Sequence, residues 1–282
     1  MQKEDIIVKK LFSLLLALTM CLSLTAVAFA QQDVADSTLE KIHNLYQIPM
    51  DVLITLDKNT IDSLADGIDE KNQVSSQTTY IKLTETMDGN IIVTEETYSE
   101  YLAETRRRAT DSNSWIKVQT LLIEIDEKNA EASSSFTWLT RPACRLSDAI
   151  GLSIINGTIV AQTANGFYTY KARESSTTKT VYIADSDFVY EGHSVHATVD
   201  LVPNGINSPN NVIDSDYMFL RAKFYKQGSS EGLNGAYAHM RLGISTPPSF
   251  SLNSKGKFTI DSGSIDLYYD QFSGYTSAYW NK

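Results

Sequence analysis

From Trp115 onward the chain is a succession of short β-branched and aromatic runs, each closed within a few residues by Gly, Asn, Asp or Ser. Side chains alternate between two faces along a strand, so runs this short cannot form the broad apolar stripe that a packed helix requires. The runs cover residues 115–125, 152–155, 158–164, 167–171, 181–183, 195–202, 217–225, 237–244, 258–260 and 265–269. Many short strands with turn residues between them predict a mainly β fold, an antiparallel β-sandwich or barrel-like arrangement. A parallel α/β core is excluded, because no helical period separates these strands.

The N-terminal part reads differently. Ser37-Thr38-Leu39-Glu40 has the form of a capping box, and Leu39, Ile42, Leu45 and Tyr46 follow at helical spacing before Pro49. A second helix is expected over 60–65, with Asn59 as its N-cap and Gly67 ending it. The prediction is therefore one or two short N-terminal helices ahead of the strands. Residues 79–84 and 91–95 flank Asp88-Gly89 and predict a tight hairpin. Asn156-Gly157 and Asn165-Gly166 predict two more such turns, joining 152–155, 158–164 and 167–171 into a three-stranded meander. The polar stretch 106–114 opens with Arg106-Arg107-Arg108, read as a solvated charge cluster or a processing site. It sets the expected organisation: a helix-plus-hairpin region over 31–108 and an antiparallel β domain over 109–282.

Residues 1–30 have the character of a signal peptide: Lys9-Lys10, an apolar stretch from Leu11, and the small-x-small exit Ala28-Phe29-Ala30. Ala28 and Ala30 are the expected cleavage determinants, and the predicted location is secreted and extracellular, with membrane contact only through that peptide. Cleavage takes away Lys3, Lys9 and Lys10 together with Glu4 and Asp5, so the formal charge moves from −10 to −11. A surface this acidic disfavours nucleic acid and anionic headgroups as partners. Cys144 would then be the sole cysteine, leaving no intramolecular disulfide. The segment 279–282 carries no wall-sorting pattern.

Few residues carry chemistry. Arg141 and Arg145 flank Cys144, and adjacent positive charge favours a reactive thiolate; a small buried side chain accounts for the same cysteine. His193 and His196 are three apart on a predicted strand and so face opposite sides, which argues against a zinc site. His43 lies at the margin of the first helix's apolar stripe. Glu124 and Asp126 share a strand face, as paired carboxylates of a glycosidase would. No Gly-x-Ser-x-Gly, His-Glu-x-x-His or phosphate-loop pattern is present.

Asp185-Ser186-Asp187 and Asp214-Ser215-Asp216 each precede an aromatic-rich run. Turn hydrogen bonding explains them, and calcium ligation by Asp185, Asp187, Asp214 and Asp216 is the competing reading. No cofactor is otherwise expected. Tyr268, Tyr269, Phe272, Tyr275, Tyr279 and Trp280 crowd the C-terminus. On a strand Tyr275 and Tyr279 share a face and Trp280 takes the other, so these three are candidate ligand-binding residues, with cross-strand core packing as the alternative.

The segment Phe136-Thr137-Trp138-Leu139-Thr140-Arg141-Pro142, with Arg145, Asp148 and Ile150-Gly151 after it, resembles a pattern of uncharacterised exported proteins of Firmicutes. No activity is attached to that group, so the resemblance implies export alone. Read from the residues, Ser134, Phe136 and Trp138 share a strand face, Pro142 ends the strand, and Arg145 pairs with Asp148. The functional expectation is a non-enzymatic extracellular binding or interaction module with a cell-surface glycan or protein as partner. The alternatives are an extracellular hydrolase using carboxylates or Cys144, and an exported toxin or pore former built on segments such as 174–180.

Overall fold

The computed structural model describes residues 34–86, 91–106, 113–142, 144–173, 178–204, 212–240, 249–260 and 269–279. The signal peptide with Ala28 and Ala30, the Asp88-Gly89 turn, Arg107, Arg108 and Trp280 lie outside them. The chain divides into two compact units, Met1–Asp66 and Gly67–Lys282.

Among the described residues the first unit holds three helices: α1 (Asp36–Tyr46), α2 (Met50–Leu53) and α3 (Lys58–Ala65), with α1 packed on both others. Leu39, Ile42 and Tyr46 of α1 and Ile61 and Leu64 of α3 are buried. The caps differ from those expected. Helix α1 begins one residue before Ser37, with Ala35 as N-cap and no side-chain bond there. Helix α3 is capped by Asp57 rather than Asn59, its carboxylate accepting from Thr60 N at 2.7 Å. An aspartate two positions earlier adds a further half-turn to the helix and leaves Asn59 inside it. His43 is half-buried, as expected of a boundary residue, and its Nδ1 donates to the Ile48 carbonyl at 2.7 Å.

The second unit is an antiparallel β-sandwich. One sheet runs in the order β2-β1-β3-β4-β11-β7-β8: β1 (Asn72–Glu85), β2 (Ile91–Glu96), β3 (Asn113–Glu124), β4 (Asn129–Trp138), β7 (Asn165–Ala172), β8 (Thr178–Tyr182) and β11 (Ile213–Lys226). The short β6 (Gly157–Ile159) joins it against β11. The other runs β15-β12-β5-β10-β9: β5 (Ser147–Ile155), β9 (Val189–Tyr190), β10 (Ser194–Asp200), β12 (Ser230–Met240) and β15 (Tyr269–Tyr279). Each sheet keeps two separate edges among the described residues, which makes the fold a sandwich and not a barrel.

Alternation places Ile116, Val118, Phe136, Trp138, Met218, Leu220 and Phe224 of the larger sheet against Ile150, Leu152, Ile154, Val195, Leu233 and Tyr237 of the smaller. The sheets approach so closely that a Cβ on Gly235 of β12 would collide with Ser134 Oγ of β4. On its outer face the smaller sheet is covered by the hairpin β13 (Phe250–Leu252) and β14 (Phe258–Ile260), which seats Phe250, Leu252 and Phe258 on Ala149, Ala236, Ala238 and Met240.

Two expectations are corrected by the topology. The meander over 152–171 does not form: β5 belongs to the smaller sheet, whereas β6 and β7 pair with β11 of the larger. Asn156, at φ 63°, turns the chain from one sheet to the other, a left-handed conformation that Asn tolerates but that here serves a crossing. The hairpin of β1 and β2 is not set apart from the strands beyond the arginine triplet. β1 pairs with β3 from Asn72↔Glu124 to Thr84↔Asn113, so both lie in one sheet, and the compact units divide at Asp66/Gly67.

Candidate functional site

The surface feature that gathers chemistry lies where β2 ends. β2 pairs only with residues Tyr80–Glu85 of β1, and from Asn72 to Thr79 no described strand pairs with β1 on that edge. At this point Thr97 caps α4 (Tyr98–Arg106). Thr97 N donates to Glu100 Oε2 at 2.6 Å, the Thr97 hydroxyl donates to the same oxygen at 2.7 Å, and Glu100 N donates back to Thr97 Oγ1 at 3.3 Å. This reciprocal pair is a capping box. The Thr97 hydroxyl and amide hold the Glu100 carboxyl below its usual value.

The capped helix carries Tyr98 and Tyr101 onto Tyr80. Ring centroids stand 5.4 Å apart for Tyr80–Tyr98 and for Tyr80–Tyr101, and Tyr101 meets Trp115 edge-on at 5.3 Å. Lys82 places its Nζ 5.7 Å from the Trp115 ring and pairs with Glu104 at 2.8 Å, which holds the helix against the sheet. Beside the stack opens a groove of about 620 Å³, walled by residues 77–80 of β1 on one side and by 95–98 and Glu100 on the other. Tyr98 is 56% exposed at its lip. Its lining therefore offers aromatic faces, three carboxylates (Glu95, Glu96, Glu100), threonine hydroxyls and a strand edge. Such a surface binds by stacking, by hydrogen bonding and by attraction of positive charge.

The interior holds a second, enclosed set of polar groups. Asp148 of β5 accepts from the Tyr237 hydroxyl, from His239 Nδ1 at 3.0 Å and from Met240 N at 3.1 Å, while Trp138 Nε1 donates to the Tyr237 oxygen at 2.9 Å. Burial opposes the His239 imidazolium, but the Asp148 charge outweighs it and holds the His239 pKa above the usual value. Close by, Arg145 grips Asp216 with two bonds at 2.6 and 2.7 Å and donates to the Val202 carbonyl, and the Tyr168 hydroxyl donates to Asp216 at 2.5 Å. Asp148 and His239 have the relation of an orienting carboxylate to a base. However, the His239 side chain is only 4% exposed and its ring lies edge-on against Trp138 at 4.9 Å, so the pair is spent on the sandwich interior.

The residues singled out from sequence disperse over the fold. Arg145 pairs with Asp216, not Asp148, because β11 is brought beside β4 and β7 and presents a carboxylate at the right depth. Cys144 is not activated: burial, then Asp148, Asp270 and Glu85, push its thiol up, and the neighbouring Arg145 charge is already committed to Asp216. Asp214 is bound by Arg141 at 2.8 Å and Arg173 at 3.0 Å. Asp214 and Asp216 lie inside β11 rather than in a loop before it, with a register shift between Ile213 and Ser215. Asp185 and Asp187 form a separate exposed 3-10 turn. Among the described residues no group of three or more His, Cys, Asp or Glu is placed to hold a metal ion.

His193 and His196 part as expected. His193 Nδ1 donates to the Gly157 carbonyl at 2.9 Å, whereas His196 is buried against Phe258 and its pKa is lowered by burial. Glu124 pairs with Lys226 at 2.9 Å, and Asp126 accepts the turn amides of Lys128 and Asn129. Tyr275 is 48% exposed on β15 and close to Gly232; Tyr279 closes the same strand. Sequence reasoning missed Tyr80, Tyr98, Tyr101 and the groove. The signal that could have found them was Thr97-x-x-Glu100 with Tyr98 and Tyr101 three apart just after a strand.

The chain matches no protein-family model and no curated protein. Among solved structures it is similar to the collagen binding domain of the Erysipelothrix rhusiopathiae surface protein RspB, at 6% identity and TM-score 0.25 over 60% of this chain and 67% of that one. It is similar to the collagen adhesin CNA from S. aureus at 8% identity and TM-score 0.26, over 74% and 84% of the two chains. Clostridium perfringens delta-toxin gives 7% identity and TM-score 0.22 over 74% and 93%. Likeness of this extent carries no statement about activity. No helix among the described residues is long and apolar enough to cross a membrane.

Proposed function

We propose that this chain is an extracellular, non-enzymatic binding module that engages its partner at the groove beside Tyr80 and Tyr98. The observation that carries the reading is the exposed Tyr98 ring, held by a capped helix at the mouth of a groove of about 620 Å³. Holding an aromatic side chain in water without covering it costs apolar burial, and rigid exposed tyrosines of this kind anchor interfaces. The rest of the chemistry speaks for binding over catalysis. The Asp148–His239 pair is enclosed, the Cys144 thiol is pushed up, and Asp214 and Asp216 are matched by arginines. Secretion rests on the signal-peptide reading of residues 1–30.

The test is a side-by-side screen of the purified chain and Tyr98→Ala on glycan and peptide arrays. Ligands that the wild type retains and Tyr98→Ala loses support the reading. Equal retention by both proteins sinks it.

A further inference from the structure

We infer that the occupant of the groove is an extended, lysine- or arginine-bearing peptide segment that adds as a strand to the open edge of β1; this rests on the groove being the binding site. Two independent features lead there. The first is backbone geometry. β2 stops at Glu96, opposite Tyr80, yet β1 continues for eight more residues, Asn72–Thr79, with no described strand beside them on that edge. A strand edge presents a row of N–H and C=O groups at fixed spacing, the surface on which extended peptides dock by strand addition. A segment laid there runs in line with β2 and meets the groove at its end.

The second feature is charge and ring chemistry. Glu95, Glu96 and Glu100 line the groove together with Tyr80 and Tyr98, and no lysine, arginine or histidine is among its described lining residues. Carboxylates beside tyrosine faces favour a cation, which gains both Coulomb attraction and the ring quadrupole. Side chains of an added strand alternate between faces, so every second residue of the peptide passes the sheet face on which Tyr80 and its cross-strand partner Glu96 stand. A lysine or arginine at that position reaches Glu96 and the exposed ring of Tyr98. The acidic balance of the whole chain, −10, steers the same kind of partner.

The probe is a fluorescein-labelled peptide alternating Lys and Val over about eight residues, the length of the open edge, titrated by anisotropy against the full chain. Saturable binding is expected, weakened about tenfold or more by Tyr98→Ala and by Glu95→Gln with Glu96→Gln, both changes at exposed or half-exposed positions that leave the Thr97–Glu100 cap in place. Binding should weaken as NaCl rises from about 50 to about 300 mM. Amides of residues 73–79 should gain protection from hydrogen exchange on binding. Peptides N-methylated at odd or at even positions should differ, one keeping affinity and the other losing it.

Absence of binding by a folded chain overturns the inference, as does binding that the glutamate substitutions leave unchanged or that brings no protection to 73–79. If the arrays yield a Tyr98-dependent ligand while the Lys-Val peptide fails, the strand-addition inference falls and the groove reading stands. If neither binds, both fall. A chain dimer that forms through this edge and excludes the peptide also overturns the inference, since the occupant is then a second copy.

Discussion

The imidazole of His239 and the carboxylate of Asp148 meet at 3.0 Å inside the sandwich, both shielded from water. Because Asp148 holds the His239 pKa above its unfolded value, this contact contributes in full below about pH 6.5, where both states carry the proton, and is lost as pH rises through the folded-state value. Thermal melts of wild type and His239→Gln between about pH 5.5 and 8.5 check the sign: the advantage of the wild type should shrink as pH rises. His196, whose pKa is lowered by burial, acts in the opposite direction but is common to both proteins and cancels in the difference.

Tyr237→Phe removes one hydroxyl, takes away one of the donors to Asp148, which keeps His239 and Met240 N, and leaves Trp138 Nε1 without its acceptor. Leaving buried polar groups without a bond costs about 1–3 kcal/mol. Urea unfolding should show that loss with the slope unchanged; a neutral result would mean that water takes the place of the hydroxyl.

The Arg145–Asp216 pair has side chains 4% and 2% exposed. Asp216→Asn should cost about 3–5 kcal/mol, since the guanidinium is left buried against a neutral group. Arg145→Met combined with Asp216→Leu should recover much of this. A double variant as unstable as the single one would show that the pair's hydrogen bonds to Val202 and Tyr168, not its charge, hold the site.

At Gly235 a methyl group meets Ser134 of the opposite sheet, so Gly235→Ala should destabilise by about 1–3 kcal/mol through overpacking. Adding Ser134→Gly should relieve part of the loss. If the pair proves additive, the steric account fails.

Calcium up to millimolar levels, the range of weak extracellular sites, should leave the melting temperature unmoved because arginines already hold Asp214 and Asp216. A rise on calcium addition, reversed by chelation, would reopen the reading of these aspartates as ligands.

The strands were legible because each carries its own alternation; β3, β10 and β11 stand close to where their β-branched and aromatic residues place them. What local pattern cannot reveal is which sheet a strand joins. Asn156-Gly157 has the composition of a tight hairpin, and only the position of β11, more than fifty residues later, decides that the chain leaves the smaller sheet there. Partner choice of charged residues was hidden for the same reason: Arg145 finds Asp216 through a sheet order that no window of sequence contains. The groove is a juxtaposition of Tyr80 with Tyr98, joined by a turn and a helix cap, and becomes visible only when both are placed.

The pairing of β4 with β11 matches Trp138 with Asp216 and Asn129 with Tyr225, at the middle of the larger sheet. Its two halves are thus joined by the most separated stretches of chain, and closing so long a loop comes late and slowly. Until β11 arrives, β4 waits as a bare border rich in small residues, open to the same strand of another molecule. Concentration-dependent loss during refolding is the vulnerability that this sheet order builds in, and it would be met before the native state is reached, not after.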